Sequence, residues 1–123
     1  MLERYKCPVL TAEDFQRVCD QILVNKPQNS EAMYYRGRAL RKLGRYDLAL
    51  QFFQKVIDLK DKYRSARNLS PWSFIRRGYI FDLQGHREEA VKDYDKALVL
   101  PDCKDSKAEA AERLQNPYSE GIK

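Results

Sequence analysis

Apolar residues recur three and four positions apart along most of this chain and almost nowhere alternate, a pattern that predicts helices and no sheet. Thr11 stands as a hydroxyl cap ahead of Glu13 and Asp14, and Phe15, Val18, Cys19, Ile22 and Leu23 then share one helical face. Pro27 and Asn29 stop that helix, which is expected over residues 11–25. Asn29 or Ser30 caps the next, whose apolar stripe of Met33, Tyr34, Gly37, Leu40 and Leu43 runs to a stop at Gly44. A third begins near Tyr46 and carries Leu48, Ala49, Phe52, Phe53, Val56, Ile57 and Leu59.

Beyond Leu59 the pattern loosens through KDKYRSARNLSP. Pro71 suits the first turn of a new helix with Ser70 as its cap, and Phe74, Ile75, Gly78 and Phe81 lead to Gly85. Ala90, Val91, Tyr94, Ala97 and Leu98 mark a fifth helix ended by Pro101. An alanine-rich sixth is expected at 106–114, with NPYSEGIK as a frayed tail.

The fold class is therefore all-α, about six helices arranged as one helix, two helix–turn–helix pairs that each turn at a glycine, and a closing helix. The pairs repeat one another: Arg36 and Arg77, Gly37 and Gly78, Gly44 and Gly85, Ala49 and Ala90 all lie 41 residues apart. Neither pair can bury its own apolar face in isolation, so the pairs are expected to stack and build one core between them. A length of 123 residues suits one such domain.

Charge adds little to this picture. Lys and Arg number 23 against 18 Asp and Glu, with signs closely mixed, which describes a solvated surface before it describes a nucleic-acid footprint. No apolar run approaches the roughly 18 residues that span a bilayer, and MLERYKCPVL lacks a secretory stretch. A cytoplasmic protein, or a soluble piece of a larger one, is the expectation, without membrane insertion. Cys7, Cys19 and Cys103 are odd in number and widely separated, which fits neither a metal site nor a disulfide and leaves ordinary thiols.

Chemistry is equally thin. His86 is the single histidine and falls in the turn after Gly85, where an exposed turn residue is expected. No nucleophile–base pairing can be built around it, and RGRALRKLG has glycines inside a helical pair rather than in a phosphate loop after a strand. No catalytic, metal or cofactor residue is assigned, and the chain is not expected to be an enzyme.

Two copies of one code carry a family resemblance. Counting from Ser30, the first is Met33, Gly37, Leu40, Gly44, Tyr46, Ala49, Phe53, Val56 and Leu59; counting from Pro71, the second is Phe74, Gly78, Phe81, Gly85, Ala90, Tyr94, Ala97, Leu100 and Pro101. This resembles the tetratricopeptide repeat, and implies a right-handed stack of antiparallel helix pairs. The pieces would be a half-repeat helix at 11–29, repeats at 30–63 and 71–103, an insertion at 64–70, a capping helix at 104–116 and a tail at 117–123. Gly37, Ala49 and Phe53, and Gly78, Ala90 and Tyr94, would set the close approach within each pair, with Gly44 and Gly85 supplying positive φ between helices.

Departures from the family pattern are visible too. Arg36 and Arg77 stand where Leu is frequent and are expected to pair with acids across the stack; Asp61 stands where a closing Pro would fall. The interval of 41 exceeds the family's repeat of about 34 by about seven. The excess fits between Lys60 and Ser70, either as a continuation of the preceding helix through KDKYRSA or as a basic projection carrying Lys60, Lys62, Arg64 and Arg67.

The resemblance implies a groove lined by the first helix of each pair, binding an extended or helical peptide of another protein. Its facing positions are Glu31, Tyr34, Tyr35, Arg38, Arg41 and Lys42 in the first pair, and Trp72, Ile75, Arg76, Tyr79, Asp82 and Leu83 in the second. Of these, Tyr34, Arg38, Arg41, Lys42, Trp72, Ile75, Arg76 and Tyr79 form the candidate site, and the arginines favour an acidic ligand. The carboxylate clamp of chaperone-binding members is not reproduced: Tyr34 and Arg38 stand at its Lys and Asn positions, and Arg76 alone matches. Two other readings stay open, nucleic-acid or phosphate binding through strip 36–45 and segment 60–67, and weak self-association through the ends of the stack.

Overall fold

A computed structural model describes residues 29–120, together with Arg17, Asp20 and Gln21 of a preceding helical stretch; the expected helix over 11–25 otherwise lies outside the described residues. Five helices follow: α1 (Ser30–Lys42), α2 (Tyr46–Asp58), α3 (Arg64–Leu83), α4 (Arg87–Val99) and α5 (Ser106–Gln115). The architecture is an all-α solenoid. Successive helices pack on one another, and α1 also meets α3 and α3 meets α5, so the odd-numbered helices form one face of the stack. No described helix is long and apolar enough to cross a membrane.

The two inter-helix turns have the same construction. Gly44 and Gly85 sit at φ +80° and +81°, a region open to glycine and costly for other residues. Gly44 N–H donates to Arg41 and Arg45 N–H to Leu40; one repeat later Gly85 N–H donates to Asp82 and His86 N–H to Phe81. Each is a Schellman motif, which satisfies carbonyls left over at the end of α1 and α3 and reverses the chain. At the other end of α1 the cap is Asn29, whose side chain accepts from Ala32 N–H at 2.9 Å.

Within each pair a glycine receives an aromatic ring. A Cβ on Gly37 would stand 2.8 Å from Phe53 Cε1, and one on Gly78 would stand 2.7 Å from Tyr94 Cζ, inside contact distance in both cases. Phe53 and Tyr94 are wholly buried. Around them lie two linked clusters, one built on Met33, Leu40, Phe53, Val56, Ala66 and Ile80, the other on Ile57, Phe74, Ile75, Tyr94, Ala97 and Ala110, with Trp72 against both.

The interval of 41 is resolved differently from the sequence expectation. The chain does not continue α2 through KDKYRSA: α2 ends at Asp58, Lys62 and Tyr63 N–H donate to the Leu59 carbonyl, and a new helix begins at Arg64. Residues 64–70 are the first turns of α3, and Pro71 lies inside that helix rather than at its start. Burial decides the matter, because Ala66 and Ser70 are enclosed and Leu69 packs on the first cluster. Ser70 is not a cap; its hydroxyl donates to the Ala66 carbonyl at 2.7 Å, one turn back. The basic side chains of this segment remain outside, Lys62, Arg64 and Arg67 all being exposed.

Candidate recognition face on α1 and α3

Helical periodicity puts Arg38, Arg41 and Lys42 on one side of α1, and Trp72, Arg76 and Tyr79 on one side of α3, because residues three and four apart share a helix face. Arg76 is the bridge: its Nε–H donates to the Tyr34 hydroxyl at 3.1 Å, and its guanidinium lies 5.5 Å from the Trp72 and Tyr79 rings. Arg38 lies 5.3 Å from the Tyr35 ring and 5.9 Å from that of Tyr34. Such stacks hold a cation in place while its N–H edges stay free to donate.

These two cations are electrostatically unbalanced. Burial, and next the positive charge of Arg76, lower the Arg38 pKa from its ordinary value, and no carboxylate is paired with either arginine among the described residues. The arginines one position before each glycine are, by contrast, both paired with acids. Arg77 holds the buried carboxylate of Asp93 through Nε at 3.0 Å and a second nitrogen at 3.2 Å, and Arg36 pairs with Asp20 at 2.8 Å. Burial raises the Asp93 pKa, partly offset by Arg77. Arg36 and Arg77 thus tie helices together.

Several candidate residues are not free surface. Ile75 is 0% exposed and belongs to the core, because its position on α3 turns toward α4 and not outward. Tyr34 and Tyr79 are buried, and both hydroxyls are engaged: Tyr34 packs edge-on against Phe53 and accepts from Arg76, and Tyr79 donates to Glu109 of α5. Burial, then that bond, push the Tyr79 phenol well above its ordinary pKa. Trp72 donates its indole N–H to the Cys103 carbonyl at 2.7 Å and so anchors the loop before α5. Lys42 is exposed, and His86 is an exposed turn residue.

The expected frayed tail is instead partly docked. From the end of α5 the chain crosses the odd-numbered face: the Tyr118 ring stacks on Tyr79 at 3.9 Å with planes 17° apart, its N–H donates to Asp82 at 2.9 Å, and Glu120 pairs with Arg41 of α1. Asp82, expected as a groove position, is the buried hub of this arrangement. It also accepts from Arg87 at 3.1 Å and from the Tyr94 hydroxyl at 2.7 Å, while Arg87 donates to the last carbonyls of α5, Arg113 and Leu114. Neither Tyr118 nor Glu120 follows a helical period, so only the folded chain brings them to Arg41 and Tyr79.

A family model described as tetratricopeptide repeat matches residues 26–99. The chain is also 31% identical over 88 residues to the DnaJ homolog subfamily C member 3 of Bos taurus; that alignment takes in 72% of this chain and 16% of the relative, so the chain spans a small part of that protein's length.

Proposed function

The chain belongs to the tetratricopeptide repeat family, whose repeats generally mediate contact between proteins, and on that premise we propose that its α1–α3 face binds a peptide segment rich in acidic residues. Arg38 and Arg76 carry this reading. Both are held against aromatic rings, they repel one another, and they lack a carboxylate, so a ligand carboxylate placed between them gains two charge-assisted partners and relieves the repulsion. Trp72 and Tyr35, both half-buried, supply apolar area beside them, the aromatic and arginine combination that concentrates binding energy at interfaces. The module acts as an adapter without chemistry of its own.

The face spans only two helix pairs, so affinity for an isolated peptide is expected near the micromolar range, equivalent to about −8 kcal/mol. An array of acidic and neutral peptides probed with the wild-type chain and with Arg38→Glu, Arg76→Glu tests the reading. Acidic peptides should be retained by the wild type and lost by the variant, and the loss should shrink as salt is raised. Equal retention by the two proteins would overturn it.

A further inference from the structure

The contacts of residues 118–120 are those of a ligand rather than of a core element. We propose that this segment occupies the recognition site in cis, and that the ligand it excludes is an extended acidic peptide with an aromatic residue two positions before a carboxylate. The inference rests on the reading of the α1–α3 face given above and names the ligand class and the competitor of that site.

Three contacts define the pattern, two from α3 and one from α1. Tyr79 offers a flat ring for an aromatic, Asp82 accepts a main-chain N–H, and Arg41 takes a carboxylate. The site asks for that carboxylate, because the Arg41 side chain is 7% exposed and has Glu120 as its ion-pair partner. The segment asks for little in return: Tyr118 is half-buried, Pro117 and Ser119 are exposed, and the Glu120 side chain is 48% exposed. Nothing in the two core clusters depends on Glu120, and Tyr118 lies at the margin of one of them.

Competition in cis sets what a partner must add. Tyr118 follows the end of α5 at Gln115 by three residues, and a tether this short holds the segment at an effective concentration on the order of millimolar. A peptide reproducing only the three contacts would be outcompeted at ordinary concentrations. One that also carries carboxylates to Arg38 and Arg76, which lie one turn back along α1 and α3 and which the segment leaves without an acid, gains contacts the segment cannot make. Added acidity beyond the aromatic–x–carboxylate core is what would open the face.

The test uses the full chain as wild type, Glu120→Gln and the double variant Tyr118→Ala, Glu120→Gln. The probe is a fluorescein-labelled synthetic peptide of a Tyr-Ser-Glu core flanked by aspartates, followed by polarisation. The double variant should bind about tenfold or more tightly than the wild type, with Glu120→Gln between them, since the intramolecular competitor is removed in steps. A probe with Ala for the Tyr and Gln for the Glu should show no such gain. Equal affinity of all three proteins, or a gain that persists with the altered probe, overturns the inference. Where affinity is equal yet Arg38→Glu, Arg76→Glu abolishes it, the peptide-binding face stands without the cis competitor; where those changes also leave it untouched, both fall. Glu120→Gln is nearly isosteric on a half-exposed side chain, so its effect on binding is read on a folded protein.

Discussion

Gly78→Ala puts one methyl group into the contact between α3 and α4. At an unobstructed helical position the change would stabilise by about 1 kcal/mol, because alanine is the better helix former. Here the new Cβ would lie 2.7 Å from Tyr94 Cζ and 2.9 Å from Cδ1, with Cε1 closer still. The ring cannot slide away freely, since its hydroxyl is tied to Asp82 at 2.7 Å and the side chain is wholly buried. Overpacking of this kind costs about 1–3 kcal/mol, which exceeds the propensity gain through most of its range. A net loss of up to about 2 kcal/mol is expected, with Tm falling about 4 °C for each kcal/mol in a chain of this size. Gly37→Ala should lose less, because Phe53 approaches its site at 2.8–3.1 Å and has no polar tether. Urea denaturation of both variants, and of Gly78→Ala in a Tyr94→Leu background where the ring is gone, checks the reasoning. A Gly78→Ala protein more stable than wild type, or no relief in the Tyr94→Leu background, would refute it.

Further expectations follow from single contacts. Arg77→Ala should destabilise by about 3–5 kcal/mol in urea melts, because it leaves the carboxylate of Asp93, 2% exposed, without its bidentate partner, and replacing both residues by Leu should restore much of the loss. Trp72→Phe keeps the ring but removes the indole donor to Cys103; about 1 kcal/mol should be lost, with faster amide exchange at Ser106. Glu120 has a pKa below its ordinary value: burial works in the raising direction, and the hydrogen bonds from Arg41 and Tyr118, with the charges of Arg41 and Lys42, outweigh it. A lowered carboxyl adds stability above its free-chain pKa and loses it as pH falls through the folded value. The Tyr118 ring signals should therefore move toward free-tyrosine positions on acidification below the ordinary glutamate range and remain constant from there to neutrality.

The sequence carries the parts of the fold that rest on neighbours three, four and five positions apart. Gly44 and Gly85 follow apolar stripes and stop helices; Gly37 and Gly78 recur with Phe53 and Tyr94 at one offset, so close packing of two helices can be inferred without coordinates. Pro71 shows where local rules give way. A proline behind a serine is a good helix start, yet burying Ala66, Leu69 and Ser70 against the first cluster favours a longer α3. The candidate face was legible as a set of positions, and its occupancy was not. Ile75 follows the outward period by family position but falls on the core side, and Tyr118 and Glu120 meet Tyr79 and Arg41 only through contacts spanning the chain, which no periodicity encodes.

The central claim, that the α1–α3 face is the surface on which partners are recognised, is tested most directly by amide chemical-shift mapping of the full chain during titration with an acidic, aromatic-containing peptide. Shifts should concentrate at Tyr35, Arg38, Lys42, Arg76 and Tyr79, with Tyr118 and Glu120 moving as their segment is displaced. Perturbations concentrated instead on the outer positions of α2 and α4, such as Gln51, Lys55, Lys92 and Lys96, would contradict it.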